Sequence, residues 1–447
     1  MKHVILGNGP TGVVAAETLR SAAPGDEIVM VGCEAEPPYS RMAIPYLLEG
    51  NIDERGTYLR KTDTHFDELK VRQKRGKATA IDTAAKRITF SDGSNESYDK
   101  LLIATGSHPV RPPIPGVELP QVQTCWTLED ARAIAKLAAP GSRVLQLGAG
   151  FIGCIIMEAL AKRGVNLTVV EMGDRMVPRM MTPKAGGMIK TWVEEKGIRV
   201  VTGASVQRID PAGANNAGGI GAAIKSVVQS ITGGGAGKAT DAVTVTLSTG
   251  EKIECDLVIA AAGVRPNVDF LKDTAVDIGN GVRVDASMRT GVADVFAAGD
   301  VAEGPDFFTG EGMVSAIQPN AADQGRIAAL GMAGRTVELP GVLAINVLDT
   351  LGLISVSFGQ WWGEKAEAGG SGVELADEAL WKYLSLQFKG DVLIGATAIG
   401  RTDQVGVLRG LIQNRTPLGK WKDVLMENPT RFVDAYIATS QPVSIAA

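Results

Sequence analysis

Short apolar runs that end on glycine set the rhythm of this chain. Residues 3–6 (HVIL) form the first run, and Gly7-Asn8-Gly9-Pro10-Thr11-Gly12 follows at once. A helix is predicted from there through Arg20, then a second strand at 27–31 that reaches Glu34. The same order returns later. A strand at 143–147 leads into Gly148-Ala149-Gly150-Phe151-Ile152-Gly153, a helix to about Arg163, and a strand at 166–170 reaching Glu171. Strand, glycine turn, helix and second strand make a βαβ unit, and two such units predict an α/β protein with two Rossmann-like nucleotide-binding domains.

The remaining pattern separates these units. The proline-rich stretch 109–120 reads as a connector, and short strands with glycine turns resume after Pro266 up to Gly299-Asp300. From about Val337 a separate domain is predicted, in which strands at 383–388 and 392–399 are joined by the turn Lys389-Gly390-Asp391. Residues 211–240 depart from this order. They are rich in Gly and Ala, and Ile220, Ile224, Val227, Val228 and Ile231 make a helical apolar stripe around 222–231. Three readings stand: an insertion whose helix packs on its own domain, a docking helix for a partner subunit, or disorder.

Composition narrows the function classes. At 447 residues the chain fits two to four domains rather than one core. No run approaches the roughly 20 apolar residues of a membrane helix. The N-terminus lacks a basic region and a cleavage site, which places the protein in the cytoplasm as an expectation. The net charge of −5, without a basic stripe, disfavours a nucleic-acid partner. Cys33, Cys125, Cys154 and Cys255 are isolated, with no CxxC or CxxxxC spacing for zinc, an iron–sulfur cluster or a redox disulfide. His3, His65 and His108 are too few for a histidine-rich metal site or a Ser-His-Asp triad.

The two glycine motifs carry the chemistry. Gly7 and Gly148 permit the tight turn, Gly9 and Gly150 let backbone approach a pyrophosphate, and Gly12 and Gly153 let helix and strand pack closely. Phosphates then meet unpaired N–H groups at the positive end of a helix dipole. Glu34 and Glu171 each fall about twenty residues past their motif, where a carboxylate hydrogen-bonds ribose hydroxyls. Glu171 would repel a 2′-phosphate, and Met172-Gly173-Asp174 supplies no clamping arginine, Arg175 being the nearby base. NADH is therefore expected over NADPH.

Four further segments carry a resemblance. Residues 100–106 (KLLIATG), with Ala104, Thr105 and Gly106, precede Ser107-His108-Pro109; residues 263–267 read GVRPN; residues 295–301 read VFAAGDV; and residues 318–325 read QPNAADQG. In this order they resemble the FAD-dependent pyridine nucleotide-disulfide oxidoreductase superfamily over nearly the whole chain. The resemblance implies a glutathione-reductase-like fold. An FAD domain, 1–112 and 268–330, is split around an NAD domain, 113–267, and a C-terminal α+β dimerisation domain, 335–447, makes a homodimer. It implies that FAD is held by Gly7, Gly9, Pro10, Thr11, Gly12, Glu34, Ala104, Thr105, Gly106, Gly299 and Asp300, the last on the ribityl chain. NADH falls to Gly148, Gly150, Phe151, Ile152, Gly153, Glu171 and Gly263.

Departures from the family pattern locate the chain within it. Disulfide reductases carry a CxxxxC pair, and single-cysteine oxidases and peroxidases place a thiol in the stretch matching 40–46; here that stretch reads SRMAIPY. Pro10 stands where many peroxidases have a histidine. A sulfur relay is therefore not expected. Residues 34–50 are instead similar to rubredoxin reductases, ferredoxin reductases and the flavin half of NADH-nitrite reductases, in which an arginine matching Arg41 approaches the FAD pyrophosphate. Tyr46 replaces a lysine of the ferredoxin-reductase subgroup. Ile155 replaces a glutamate close to the nicotinamide, leaving Glu158 as the nearest carboxylate. Trp361 or Trp362 is a candidate for lining an electron exit, or else a core or dimer contact. The expected activity is passage of electrons from NADH through FAD to an external acceptor, such as a rubredoxin- or ferredoxin-like protein or a partner subunit. A direct NADH oxidase, a quinone or metal reductase, and a slow-turnover structural or signalling subunit are the alternatives.

Overall fold

The computed structural model describes residues 1–212 and 242–440, so the apolar stripe around 222–231 lies outside the described residues. Its flanks are described. The Ala212 N–H donates to the Ala242 carbonyl at 2.7 Å, so the chain leaves and re-enters at neighbouring points of one hairpin, Val206–Pro211 with Val243–Leu247.

Two parallel five-stranded sheets organise the first three quarters of the chain. In the first, the order is Val295–Ala297, Lys100–Ile103, Lys2–Leu6, Glu27–Gly32 and Val71–Arg75. In the second, it is Arg199–Thr202, Asn166–Glu171, Arg143–Leu147, Leu257–Ala260 and Val122–Gln123. Every neighbouring pair in both sheets is parallel. Helices cover one face of each sheet and a three-stranded antiparallel sheet covers the other, with strands from 78–97 on the first and from 206–211 and 243–255 on the second. This is why the central strands are apolar along their length rather than alternating. The edge strand Val295–Ala297 comes from beyond the entire second sheet.

Helices settle where small residues allow. Gly325 brings helix Gln318–Met332 against helix Pro10–Ala22, since a Cβ there would lie 2.6 Å from the Thr11 carbonyl oxygen. The chain crosses between the two sheets on a pair of short antiparallel strands, Ser107–Pro109 and Val264–Pro266. Asn267 locks this crossing. Its amide donates to Thr105 O at 2.8 Å, its backbone N–H to Gly106 O at 2.9 Å, and its carbonyl accepts from the Thr105 hydroxyl at 2.9 Å.

The last quarter forms an antiparallel sheet in the order Ile345–Thr350, Leu353–Gly359, Val392–Ile399, Lys382–Lys389, Gly370–Asp377. The predicted 383–388 and 392–399 hairpin is present within it, with Gly390 at φ +60° in its turn. One face packs Phe358, Leu386 and Ala396 on the helices Val405–Gln413, Trp421–Glu427 and Phe432–Ser440. The other, through Leu348, Leu353 and Tyr383, joins the core around helix Phe151–Lys162. The Tyr383 and Thr182 hydroxyls share a hydrogen bond of 2.6 Å, and Trp192 Nε1 donates to Thr350 O at 2.9 Å, fastening this sheet to the second nucleotide unit. Among the described residues no helix is long and apolar enough to cross a membrane.

Candidate dinucleotide sites

The outer glycines of both turns are required by their neighbours. Gly7 has φ +127°, and a Cβ there would lie 1.9 Å from Ala104 O; a Cβ at Gly12 would lie 2.0 Å from Gly7 O. The second turn repeats this, with Gly148 at φ +96° and 2.4 Å to Ala261 O, and Gly153 at 2.5 Å to Gly148 O. Gly9 and Gly150 differ. A Cβ at either meets no atom of the described chain within 4 Å, and both have φ −74°, which any residue adopts. No described atom forbids a side chain there, which fits backbone kept bare for a pyrophosphate. Gly9 and Gly150 also cap their helices without a side-chain hydrogen bond, and neither helix has an acid in its first turn. The N–H groups there stay available to an anion.

A cavity of about 730 Å³ joins the two units. The first turn lines it with Gly7, Gly9, Pro10 and Thr11, and the neighbouring strand ends add Glu34, Ala104, Thr105 and Gly106. Arg41 and Asp300 line it as well. From the second unit come Phe151 and Ile152, the first residues of the second glycine helix, together with Ile155 and Ile156. Gly12 and Gly299 stand behind the lining, Gly299 so close that a Cβ would lie 2.3 Å from the Thr11 hydroxyl oxygen. Gly148, Gly150, Gly153, Glu171 and Gly263 are outside the lining and belong to the second turn and its surroundings.

Glu34 and Arg41 pair with each other. Arg41 Nη2 donates to Glu34 Oε1 at 2.6 Å, and the Tyr39 hydroxyl donates to Oε2 at 2.5 Å. Arg41 also donates to Trp126 O at 2.6 Å and lies 5.4 Å and 5.3 Å from the Tyr39 and Trp126 ring centres. Burial pushes the Tyr39 hydroxyl up, so it remains a neutral donor. The guanidinium is thus oriented by three residues, Glu34, Tyr39 and Trp126, before it meets any ligand.

Asp300 accepts from the Ser107 hydroxyl at 2.8 Å, and burial raises its carboxyl above the ordinary range, Ser107 and Arg41 opposing. Glu171 is pinned by backbone: Ala149 N–H donates to one oxygen at 2.7 Å and Gly173 N–H to the other at 2.8 Å. Arg175 is occupied, donating to Met181 O, Pro178 O and Asp174 Oδ1.

Cysteines are present in the cavity, although the sequence pattern pointed away from sulfur. Cys33 and Cys125 both line it. Burial, with Asp130 adding to it, pushes the Cys125 thiol up to about 12, so it is protonated at neutral pH. Glu158 is not in the lining; it pairs with Lys162 at 2.8 Å, and the cavity wall at that point is the apolar Ile155. Trp361 and Trp362 are absent from the lining too; they contact each other edge-on at 5.5 Å, the first buried and the second exposed. Tyr46 is exposed and lines a shallow neighbouring depression of about 450 Å³ with Met42 and Gln318, both of which also line the cavity. The Asn267 clamp was not foreseen as a structural part of the site, although Asn267 lies in a quoted motif.

Residues 1–325 match the pyridine nucleotide-disulphide oxidoreductase family. The chain belongs to this family. Among curated relatives, subunit epsilon of the NADH-dependent phenylglyoxylate dehydrogenase of Aromatoleum evansii is 29% identical over 431 residues, 96% of this chain and 95% of the relative. An NADH oxidase of Methanocaldococcus jannaschii is 31% identical over 343 residues, covering 75% of this chain and 70% of its own. A rubredoxin-NAD(+) reductase of Pseudomonas putida is 28% identical over 341 residues, 76% and 82% of the two chains. The crystal structure of a covalent putidaredoxin reductase–putidaredoxin complex matches with a TM-score of 0.84 at 21% identity, covering 99% of each chain. Members of the family are oxidoreductases that use FAD and NADH, and the chain falls with the rubredoxin- and ferredoxin-reductase branch.

Proposed function

We propose that this chain oxidises NADH and delivers the electrons, by way of bound FAD, to a separate redox protein: a rubredoxin- or ferredoxin-like carrier or a partner subunit. One observation carries the reading. Two glycine turns, each with a middle glycine that no described neighbour requires, belong to units that share one cavity. A relative that matches over almost the whole chain is itself named as a subunit of an NADH-dependent dehydrogenase, which favours a partner subunit.

FAD supplies the redox chemistry when bound, accepting a hydride and yielding electrons singly or in pairs. The chain supplies position and charge. Backbone N–H groups beyond Pro10, which itself has none, would meet the pyrophosphate, Arg41 would add a cation nearby, and Glu34 would accept from ribose hydroxyls. Asp300, held by Ser107, takes the ribityl hydroxyls, between the Ala104–Gly106 bend and Gly299. The second turn, with Gly263 nearby, binds the NADH pyrophosphate, and Glu171 its adenosine ribose. Phe151, Ile152 and Ile155 exclude water where the nicotinamide enters. Glu171 is a fixed anion and Arg175 is already engaged, which supports NADH over NADPH.

We read the domains as 1–112 with 268–330 for FAD, 113–267 for NADH, and 335–447 for homodimer formation in the cytoplasm. Exposed Val347 and Ile354, at the edge hairpin of the antiparallel sheet, offer apolar surface for such a dimer. The depression at Met42, Tyr46 and Gln318 is where an acceptor comes nearest the cavity.

The test is anaerobic mixing of FAD-loaded protein with NADH, followed by a panel of acceptors. Bleaching of the flavin, then reoxidation by rubredoxin or an iron–sulfur protein faster than by oxygen, is the expected result. A preparation that retains no flavin refutes the proposal. Rapid oxygen uptake would favour direct NADH oxidation, the reading that the Methanocaldococcus relative supports.

A further inference from the structure

The two glycine turns share a backbone but differ at one buried position. Two residues before the first glycine stands Ile5 in one strand and Gln146 in the other, and both are fully buried. Ile5 fills the space under its turn with hydrocarbon; its Cγ2 lies 3.4 Å from where a Gly12 Cβ would be. Gln146 instead sends its amide nitrogen to Gly148 O at 2.8 Å and to Gly153 O at 2.9 Å. One carbonyl belongs to the turn and the other to the opening of the helix. A single side chain therefore ties the strand end to the helix start, across the stretch that includes Gly150.

The orientation of that amide is settled by its partners, because exchanging N and O would set an acceptor against two carbonyl oxygens. Its Oε1 is left buried with no hydrogen-bond partner. A buried orphan acceptor destabilises a fold, and an aliphatic residue such as Ile5 avoids it. The benefit of glutamine here lies in what its nitrogen holds.

We propose that Gln146 is a positioning residue for nicotinamide dinucleotide binding, keeping the second turn preformed while it is empty. The proposal rests on the reading above, that the second turn takes NADH. A permanently held dinucleotide supports the backbone of its own turn, so Ile5 suffices in the first unit. The second turn is vacated in every cycle. If it relaxed when empty, each NADH would have to reorder it, at the expense of affinity. The Gln146 tie removes that requirement.

The experiment uses FAD-loaded Gln146→Leu and Gln146→Met. Flavin content should equal wild type, and thermal unfolding should remain cooperative. The NADH dissociation constant, from the concentration dependence of flavin reduction, should rise about 5- to 10-fold with an unchanged limiting rate. A constant within about twofold of wild type overturns the proposal, since the loss of two hydrogen bonds that order the turn predicts more. If both variants lose flavin, hydrogen exchange on the unaltered protein decides. The amides of Gly148, Ala149 and Cys154, which bond within the chain rather than to phosphate, should be equally protected with and without NAD+; a large gain in their protection on binding overturns it. Wild-type flavin left oxidised by NADH and NADPH alike would instead end the reading of the second turn, and this proposal with it.

Discussion

Ala149 donates its backbone N–H to Glu171 at 2.7 Å, joining the second glycine turn to the carboxylate that ends the following strand. The Gly173 N–H holds the other oxygen at 2.8 Å, so the negative charge cannot swing away from an incoming ribose. Glu171→Gln keeps an acceptor and removes the charge. It should raise the NADPH-to-NADH ratio of kcat/KM by about tenfold, the scale of one like-charge repulsion in a partly solvated site. Steady-state kinetics with both nucleotides measure it, and a wild-type preference for NADPH contradicts the electrostatic account.

The glycines separate folding from binding. Gly12→Ala should destabilise the protein by about 1–3 kcal/mol through overpacking, because its Cβ would press on the Gly7 carbonyl oxygen at 2.0 Å. Gly9→Ala and Gly150→Ala should leave stability within about 0.5 kcal/mol, as their Cβ atoms meet no described atom. The first should lose FAD retention and the second NADH affinity. Denaturant melts, flavin content and NADH titration distinguish the three.

Cys125 lies in the cavity wall as a protonated thiol, its pKa pushed up to about 12 by burial and by Asp130. Cys125→Ala should change turnover by less than about twofold, since a thiol relay needs an accessible low-pKa sulfur. Cys33→Ser should do the same, since Cys33 precedes the stretch 40–46 in which single-cysteine relatives carry their thiol. Loss of acceptor reduction with flavin reduction intact, in either variant, would put sulfur back into the pathway.

Glu96 reports on acid stability away from the site. Burial alone would raise its pKa, but hydrogen bonds from Arg72 and Lys2, at 2.8 Å and 2.6 Å, outweigh it and bring it down to about 2 from 4.5. A depressed carboxylate contributes stability that is full above 4.5 and is lost as pH falls through about 2. Glu96→Gln should therefore lose on the order of 2 kcal/mol at neutral pH, discounted because Arg72 is half exposed. The difference from wild type should shrink below pH 4.5 and close near 2. Urea melts across that range test the sign.

What could be read from the chain depended on distance along it. The turns and their acidic partners were legible because glycines, apolar run and carboxylate lie within thirty residues or so of one another, inside one βαβ unit. Gln146 had a visible signal, a polar residue within the apolar run VLQL, but its meaning needs Gly153 O close by. The Asn267 clamp joins positions 162 residues apart, and no local pattern reports such a pairing. Glu34 and Arg41 were assigned to different parts of one ligand, and the fold shows them also bound to each other, with Tyr39 and Trp126 completing the cage. For the paired tryptophans the resemblance left an electron exit and a core or dimer contact both open; in the fold they stand outside the cavity lining, Trp361 buried and Trp362 exposed.

The strand Val295–Ala297 imposes an order on synthesis. All five strands of the second sheet lie between residues 122 and 260, so that unit can condense as soon as they have left the ribosome. The older N-terminal strands must wait, their Leu101–Ile103 flank unpaired, until the polypeptide has grown past residue 297. Flavin capture is thereby a late step in biogenesis. A nascent chain stalled before that point should display a protease-resistant middle behind a still-open beginning.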